Sequence, residues 1–325
     1  MKLNLFSKLI FAALLAFVVN SFVYFSFGNI YSSTILNYEN FQEQFHSGIY
    51  QYRILSGYFL VWIYNLLSGL NFDYQIFKLK FFDQESEPKM FLAFFILNTF
   101  FLVLSSFVMV LITESKNFIA TESEKILMIW AAVFVIAISQ FVIVPYDVSS
   151  YFFVLLFFWI FLMYLNEGSA AILILLVAVL FVSTLNRESS ALSLSLAATL
   201  LYGKFGLGKK TFIPVAILGA VFLAVYLGMR FFNESFTTND GNLVVLNFSQ
   251  PKNILGLLFW VVFFIFTLIL SKDKTALRNI LIFHLLAAPY ILMCLYSGIL
   301  YEVRLYVPIF LTALFLSKSE FTKFQ

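Results

Sequence analysis

Residues 150–203 read SYFFVLLFFWIFLMYLNEGSAAILILLVAVLFVSTLNRESSALSLSLAATLLYG, and the only charges in them are Glu167, Arg187 and Glu188. Three apolar runs follow one another here, at 150–165, 170–185 and 190–203. No alternation of apolar and polar residues runs through them, and each is long for a strand. A run that is apolar on every side is a helix buried all round, in protein or in lipid.

The same kind of run recurs in both directions, at 8–28, 90–112, 126–144, 211–231, 254–271, 279–300 and 305–317. Hydrophobic residues make up 62% of the 325 and charged residues 11%. Mean hydropathy is +0.94. Soluble domains carry about 25% charge, so this chain could not cover its own surface in water. A helix needs about 20 apolar residues to cross the hydrocarbon. The expectation is an all-α polytopic integral membrane protein with about ten transmembrane helices. The runs are continuous, which argues against an outer-membrane barrel. No linker, repeat or low-complexity stretch divides the chain, so it reads as a single transmembrane domain over 1–325.

Net charge is +3 with no basic cluster, and no nucleic-acid partner is expected. Cys294 stands alone, which excludes a disulfide or thiolate metal site within one chain. His46 and His284 are isolated. No metal site or cofactor is expected, although paired carboxylates leave room for a divalent cation. Lys2 and Lys8 precede the apolar Leu9–Val19, and the run continues through Phe22 to Phe27 without a small-residue cleavage pattern. It reads as a signal anchor retained as the first span.

Short-loop Lys and Arg set orientation. Lys204, Lys209 and Lys210, then Lys272, Lys274 and Arg278, then Lys318 and Lys323, fall on one side by span counting, with Lys116 and Lys125. That side is read as the cytoplasm of a cell (inner) membrane. Residues 53–70 are the ambiguous run. If they cross, Lys2 and Lys8 are forced outside; if they do not, both termini are cytoplasmic. The second reading makes 53–70, with Arg53, Tyr58, Trp62, Tyr64 and Asn65, an interfacial helix lying along or dipping into the outer face. It belongs to a large outer loop, 29–89.

Three junctions break the apolar pattern. Asp147 is the only charge between Ile126 and Asn166; Arg187 and Glu188 are the only ones between Gly168 and Gly203; Glu302 and Arg304 are the only ones between Asn279 and Ser317. The inferred topology puts all three on the outer face, with Glu39, Glu43, His46 and Arg53. Charges near the membrane core cost a few kcal/mol and are usually paired or cavity-facing. The flanking runs are short, so the junctions are expected below the outer surface, around a wet or protein-lined cavity. Adjacent residues point about 100° apart on a helix, so Arg187 and Glu188 should pair elsewhere, and so should Glu302 and Arg304. Arg187 with Glu302, or Arg304 with Asp147 or Glu188, are the natural cross-pairs.

Plainer roles exist for each. Asp147 could cap a helix, with Ser149 and Ser150 as rivals. Arg187 could reach headgroups. Glu302 and Arg304 could form a structural ion pair. His284 reads as a satisfied buried histidine, Pro289 and Pro308 as kinks, and Glu122, Glu124 and Lys125 as a solvated loop. Arg230 and Lys252 read as headgroup contacts. Asn233-Glu234-Ser235 and Asn247-Phe248-Ser249 match the N-glycosylation pattern, which is common by chance.

The stretch Tyr50-Gln51-Tyr52-Arg53-Ile54-Leu55, the junctions Asn186-Arg187-Glu188-Ser189 and Glu302-Val303-Arg304 before Pro308, and an anchor followed by a long acidic outer loop resemble the C-type glycosyltransferase superfamily. The likeness covers the architecture of most of the chain but few residues of its sequence. These are multi-span enzymes that use polyprenyl-phosphate sugars on the outer face. The resemblance implies contact with membrane lipid, a polyprenyl-phosphate sugar donor and a glycan or lipid acceptor. Members typically place an acidic residue, most often Asp, in the first outer loop. Here its early half offers only Glu39 and Glu43, while Asp73 and Asp83 lie later.

On this resemblance Glu39, or else Glu43, is the catalytic base. Arg187 and Arg304 hold the donor phosphate through their forked guanidiniums, with Arg53 assisting. Asp147, Glu188 and Glu302 orient them or bind acceptor hydroxyls. The reading requires Glu39, Arg187 and Arg304 to share one outward cavity. A transporter or flippase would instead show paired halves and mid-span charges. A polysaccharide polymerase or ligase would show a larger late loop than 232–253, which holds Glu234, Asp240 and Lys252 and follows Arg230.

Overall fold

The computed structural model describes residues 4–74, 80–233, 236–239 and 241–320, apart from the side chain of Asn29. Lys2, Glu234, Asp240 and Lys323 lie outside the described residues. Among those described the regular structure is all helical, apart from one isolated bridge between Phe118 and Ser319.

In chain order the helices are α1 (Leu5–Val23), prolonged by a π-turn to Gly28, α2 (Asn29–Tyr31), α3 (Tyr38–Phe45), α4 (Ile54–Ser68) and α5 (Pro88–Thr113). Then come α6 (Glu122–Ser139), α7 (Asp147–Glu167), α8 (Ala170–Asn186), α9 (Ala191–Phe205) and α10 (Lys209–Phe231). The last are α11 (Val244–Ser249), α12 (Pro251–Ile269), α13 (Lys274–Leu286), α14 (Ala288–Ser297) and α15 (Val307–Leu316). Local chemistry sets several ends. The Asn4 side chain accepts from the Ser7 amide at the start of α1. Thr121 and Glu124 form a capping box on α6. Gly168, at φ 63°, takes the left-handed turn that ends α7.

By length and composition, α1 with its π-turn, α5, α7, α10 and α12 can each cross a membrane. Helices α13 and α14 pass that test as a pair, bent by 50°. Pro289 lies in the first turn of α14, directly after this bend, and Pro308 in the first turn of α15. Neither interrupts a helix interior, so Pro308 starts a helix and makes no kink.

The molecule has two unlike ends. At one, Lys8 pairs with Glu114 and Glu122, Lys125 pairs with the same two, Lys318 with Glu124, and Lys272 with Glu320. Glu122, Glu124 and Lys125 are therefore tied into an ion-paired network around the first turn of α6 and are not a free solvated loop. At the other end sit the junctions before α7, between α8 and α9, and before α15. Helices α1, α5, α6, α7, α8, α9, α10, α12, α13–α14 and α15 alternate between these ends.

Helix α4 does not alternate. It pairs with α3 as a hairpin beside the first half of α5. Tyr38 and Tyr64 stack with ring centroids 4.5 Å apart, and the Tyr38 amide and Tyr64 hydroxyl both donate to Glu87, just before α5. Near the tip, Ser56 donates to Ser149 at 2.8 Å. A Cβ on Gly57 would stand 2.3 Å from the Phe45 ring, so glycine lets the two hairpin arms close.

Depth follows from helix geometry. The Asn98 amide donates to the Val144 carbonyl at 3.1 Å. Asn98 lies ten residues past Pro88, so the turn before α7 is about 15 Å down α5 from its first residue. Helices α8, α9 and α15 have 17, 15 and 10 residues. They rise about 25, 22 and 15 Å, short of a hydrocarbon layer of about 30 Å. The charged junctions are sunk within the bundle, and the α3–α4 hairpin reaches down to them.

Candidate functional site

Asp147 opens α7 without capping it; the preceding Tyr146 makes no side-chain cap bond either. Asp147 is only 4% exposed. Its Oδ1 accepts from Arg187 Nη1, and its Oδ2 from Arg304 Nη1 at 3.0 Å. Arg187 breaks α8 by taking extended backbone, φ −166° and ψ 146°. It therefore faces Asp147 while Glu188, in the next short turn, faces away. Glu188 Oε2 accepts from Arg53 Nε at 3.1 Å and lies 3.1 Å from its Nη2 as an ion pair. Its Oε1 is 3.4 Å from Arg230 Nη2.

Glu302 and Arg304 depart from the helical expectation. Glu302 sits at φ −76°, ψ 83°, ahead of a 3-10 turn over Val303–Leu305. Off the helix their side chains converge, and Arg304 Nε donates to Glu302 Oε2 at 2.9 Å. Of the expected cross-pairs, Arg304 with Asp147 forms; Arg187 also turns to Asp147 and not to Glu302. The Tyr31 hydroxyl donates to Glu302 Oε1 at 3.2 Å. Partial burial and the Glu302 charge push the Tyr31 phenol up to about 12, so it stays a neutral donor at physiological pH.

Arg230 is a correction. In place of a headgroup contact it is 2% exposed. Its guanidinium carbon lies 3.6 Å from the Tyr226 ring centroid and 4.3 Å from that of Tyr52. It donates to the carbonyls of Thr237 and Tyr226. The signal was present: Arg230 is the only charge between Lys210 and Glu234. Lys252 is exposed at the start of α12. Arg53, at the N-cap of α4, packs against the rings of Tyr50 and Tyr146.

A cavity of about 520 Å³ opens beside these groups, with Arg53, Arg187, Glu188, Ser189, Glu302 and Arg304 on its polar side. Phe222, Tyr226, Met293 and Cys294 supply apolar wall. Two lining groups have capacity to spare. Among the described residues the Arg187 guanidinium hydrogen-bonds to Asp147 alone, and the buried Ser189 hydroxyl has no partner. Arg53, Arg187, Arg230 and Arg304 face Asp147, Glu188 and Glu302, which leaves one net positive charge among the described residues. A buried charge in excess is costly until an opposite charge joins it.

Glu39 and Glu43 are exposed on α3 and do not line this cavity. The shared cavity expected for Glu39, Arg187 and Arg304 takes in the two arginines and leaves the glutamate out. Neighbouring His46 is exposed and bonds back to the Gln42 carbonyl. His284 bonds to the Ile280 carbonyl at 2.8 Å and packs on Phe264, as a satisfied interior histidine does. Asn247 is fully buried, and its amide pins the carbonyls of Leu295 and Gly298. It is a structural staple, not an accessible glycan acceptor. Among the described residues no three His, Cys, Asp or Glu side chains gather as a metal ion would require.

Comparison with protein-family models, curated proteins and solved structures finds no match to this chain.

Proposed function

We propose that the chain is a multi-span protein of a cell membrane, both termini cytoplasmic, that transfers a sugar from a lipid-phosphate donor to a glycan or lipid acceptor on the outer face. The observation that carries this reading is the sunken, net-positive arginine cavity. Lipid-linked phosphate is an anion delivered from within the bilayer, and forked guanidiniums suit its oxygens. Among the described residues Arg187 and Ser189 keep donors to spare. Asp147 holds Arg187 and Arg304 in place, and Glu188 holds Arg53 and Arg230.

Orientation rests on the basic residues. Lys8, Lys125, Lys272 and Lys318 meet at the end opposite the cavity, and the positive-inside bias makes that end cytoplasmic. The alternating runs then cross as ten spans. The α3–α4 hairpin is a re-entrant element of the first outer loop, with its irregular tip next to the cavity, where irregular backbone is tolerated.

The test is binding and transfer of tritium-labelled polyprenyl-phosphate glucose by the full chain in nanodiscs. Saturable binding that weakens at least tenfold in Arg187→Gln is expected. No binding across a panel of polyprenyl-phosphate hexoses would sink the reading. One observation favours a carrier instead: the bent α13–α14 pair supplies Pro289, Tyr290, Met293 and Cys294 to the cavity wall, and carriers use broken helices at their sites. A carrier moves the labelled lipid between leaflets without making a new glycoside, so product analysis separates the two.

A further inference from the structure

The cavity carboxylates are not equivalent. Asp147 gives one oxygen to Arg187 and the other to Arg304. Glu188 gives one oxygen to Arg53 and the other to Arg230. Glu302 gives Oε2 to Arg304, but among the described residues its Oε1 meets only the Tyr31 phenol, at 3.2 Å. Among the described residues, Glu302 Oε1 is the carboxylate oxygen of the cluster that no guanidinium holds. An oxygen committed to a guanidinium is a poor proton acceptor; one facing a neutral phenol keeps lone-pair capacity.

Its surroundings differ too. Glu302 lines the cavity and also borders an aromatic trio outside it. The Tyr31 ring lies 5.6 Å from Phe141 and 6.3 Å from Tyr301, and those two are 5.4 Å apart. Tyr31 is 43% exposed. Glu302 thus stands between the arginine side, where an anion fits, and a half-exposed aromatic surface of the kind on which sugar rings stack.

We infer that Glu302 is the general base of the proposed transfer, and that the acceptor hydroxyl reaches it from the Tyr31–Phe141–Tyr301 side. The assignment rests on the glycosyltransferase reading and replaces Glu39 and Glu43 in it. In the step, the acceptor oxygen bonds to the anomeric carbon as its proton passes to Glu302 Oε1. The anomeric carbon–oxygen bond to phosphate breaks, and its electron pair stays on the polyprenyl phosphate. The added negative charge falls beside Arg187 and Arg304. The proton then leaves Glu302 to water on the Tyr31 side. Tyr31 is a positioning residue: its phenol aims Oε1 and yields to the acceptor.

The charged and titratable groups that face Glu302 are Tyr31 on α2, Arg304 and Tyr301 on its own segment, and Asp147 on α7 across Arg304. Arg187, Arg53 and Glu188 share the same cavity. Loss of a general base removes about 10²–10⁴-fold of rate. The experiment compares full-length wild type, Glu302→Gln, Glu188→Gln and Tyr31→Phe in nanodiscs. Binding and transfer of tritiated polyprenyl-phosphate glucose are measured over a pH series. Glu302→Gln is expected to bind donor within about threefold of wild type, to lose transfer by at least about 10²-fold, and to lose the acidic limb of the rate profile. Tyr31→Phe is expected to keep donor binding and to lower transfer by less than Glu302→Gln does, because Oε1 loses the phenol that aims it. Transfer by Glu302→Gln within tenfold of wild type, with the acidic limb intact, overturns the assignment and leaves the glycosyltransferase reading standing. Loss of transfer in Glu188→Gln alone, with donor binding kept, moves the base to Glu188. If wild type binds no donor, the function itself falls, and this assignment with it.

Discussion

At the scale of single residues, Asp147 has the largest consequence. It is the shared acceptor for two buried guanidiniums. Removing one partner of a buried ionic group costs about 3–5 kcal/mol, because the other charge is left uncompensated. Asp147→Asn should therefore lower the thermal unfolding temperature in detergent by many degrees. Glu39→Ala, on an exposed face, should fall within about 0.5 kcal/mol of wild type and leave donor binding unchanged. Equal effects of the two would remove Asp147 from the centre of the cluster. Glu114 gives a pH signature at the opposite end. Burial raises its carboxyl, but hydrogen bonds from Lys8 and Lys125 outweigh this and hold it below its ordinary value of 4.5. Its folded pKa is depressed, so its contribution is present above pH 4.5 and is lost as pH falls through the folded value. Melting measured from pH 7 downward should decline below about pH 4.5, and less steeply in Glu114→Gln. An unchanged slope in that variant would mean that the Lys8 and Lys125 contacts contribute nothing.

Single residues also show where sequence reasoning stops. The isolation of Asp147, Arg187, Glu188, Glu302 and Arg304 in apolar sequence marked them, because a charge in such a setting needs a partner. Their pairing was less legible, since it depends on backbone that is not helical. Glu302 and Arg304 meet because Glu302 takes ψ 83°, a local choice with no periodic signal. Arg230 stands out in the sequence as plainly as Arg187, yet its place at the end of an apolar run suits a headgroup contact equally well. Only the approach of Tyr52 and Glu188 from distant segments distinguishes the two.

At the scale of elements, the apolar runs correspond closely to the helices, with boundaries differing by a few residues. The run 279–300 carries its break where Pro289 was read as a kink: α13 and α14 meet just before that proline at 50°. The ambiguous 53–70 run resolves as α4, one arm of a hairpin with α3. Its closure depends on Gly57 against Phe45. Gly57→Ala should destabilise by about 1–3 kcal/mol through overpacking, and Phe45→Ala in the same chain should recover part of the loss. Urea or thermal unfolding of the two variants tests this. A neutral Gly57→Ala would show that the hairpin arms are not in close contact.

At the scale of the whole molecule, 62% hydrophobic and 11% charged residues pointed to lipid, and the unbroken apolar runs pointed to helices and away from a barrel. The gathering of three junctions was inferred from span counting, and the fold brings those junctions together around one cavity. Glu39 and Glu43 were placed by loop membership only. A long outer loop does not specify which of its residues turn inward, and here Tyr50 and Arg53 do so while the glutamates face out. The two ends of the bundle differ in kind: lysine–carboxylate pairs close one, and an arginine cavity opens toward the other.

That asymmetry makes orientation the most direct test. In a Cys294→Ala background, Glu43→Cys, Asn239→Cys and Ser297→Cys lie on the cavity end, and Lys116→Cys lies at the opposite end. Each is treated with a membrane-impermeant maleimide on intact cells. Labelling of the first three, with Lys116→Cys labelled only after permeabilisation, is the expected result and places the arginine cavity on the outer face. Labelling of Lys116→Cys on intact cells, with the other three silent, would turn the molecule over and contradict an outward site for a lipid-phosphate donor.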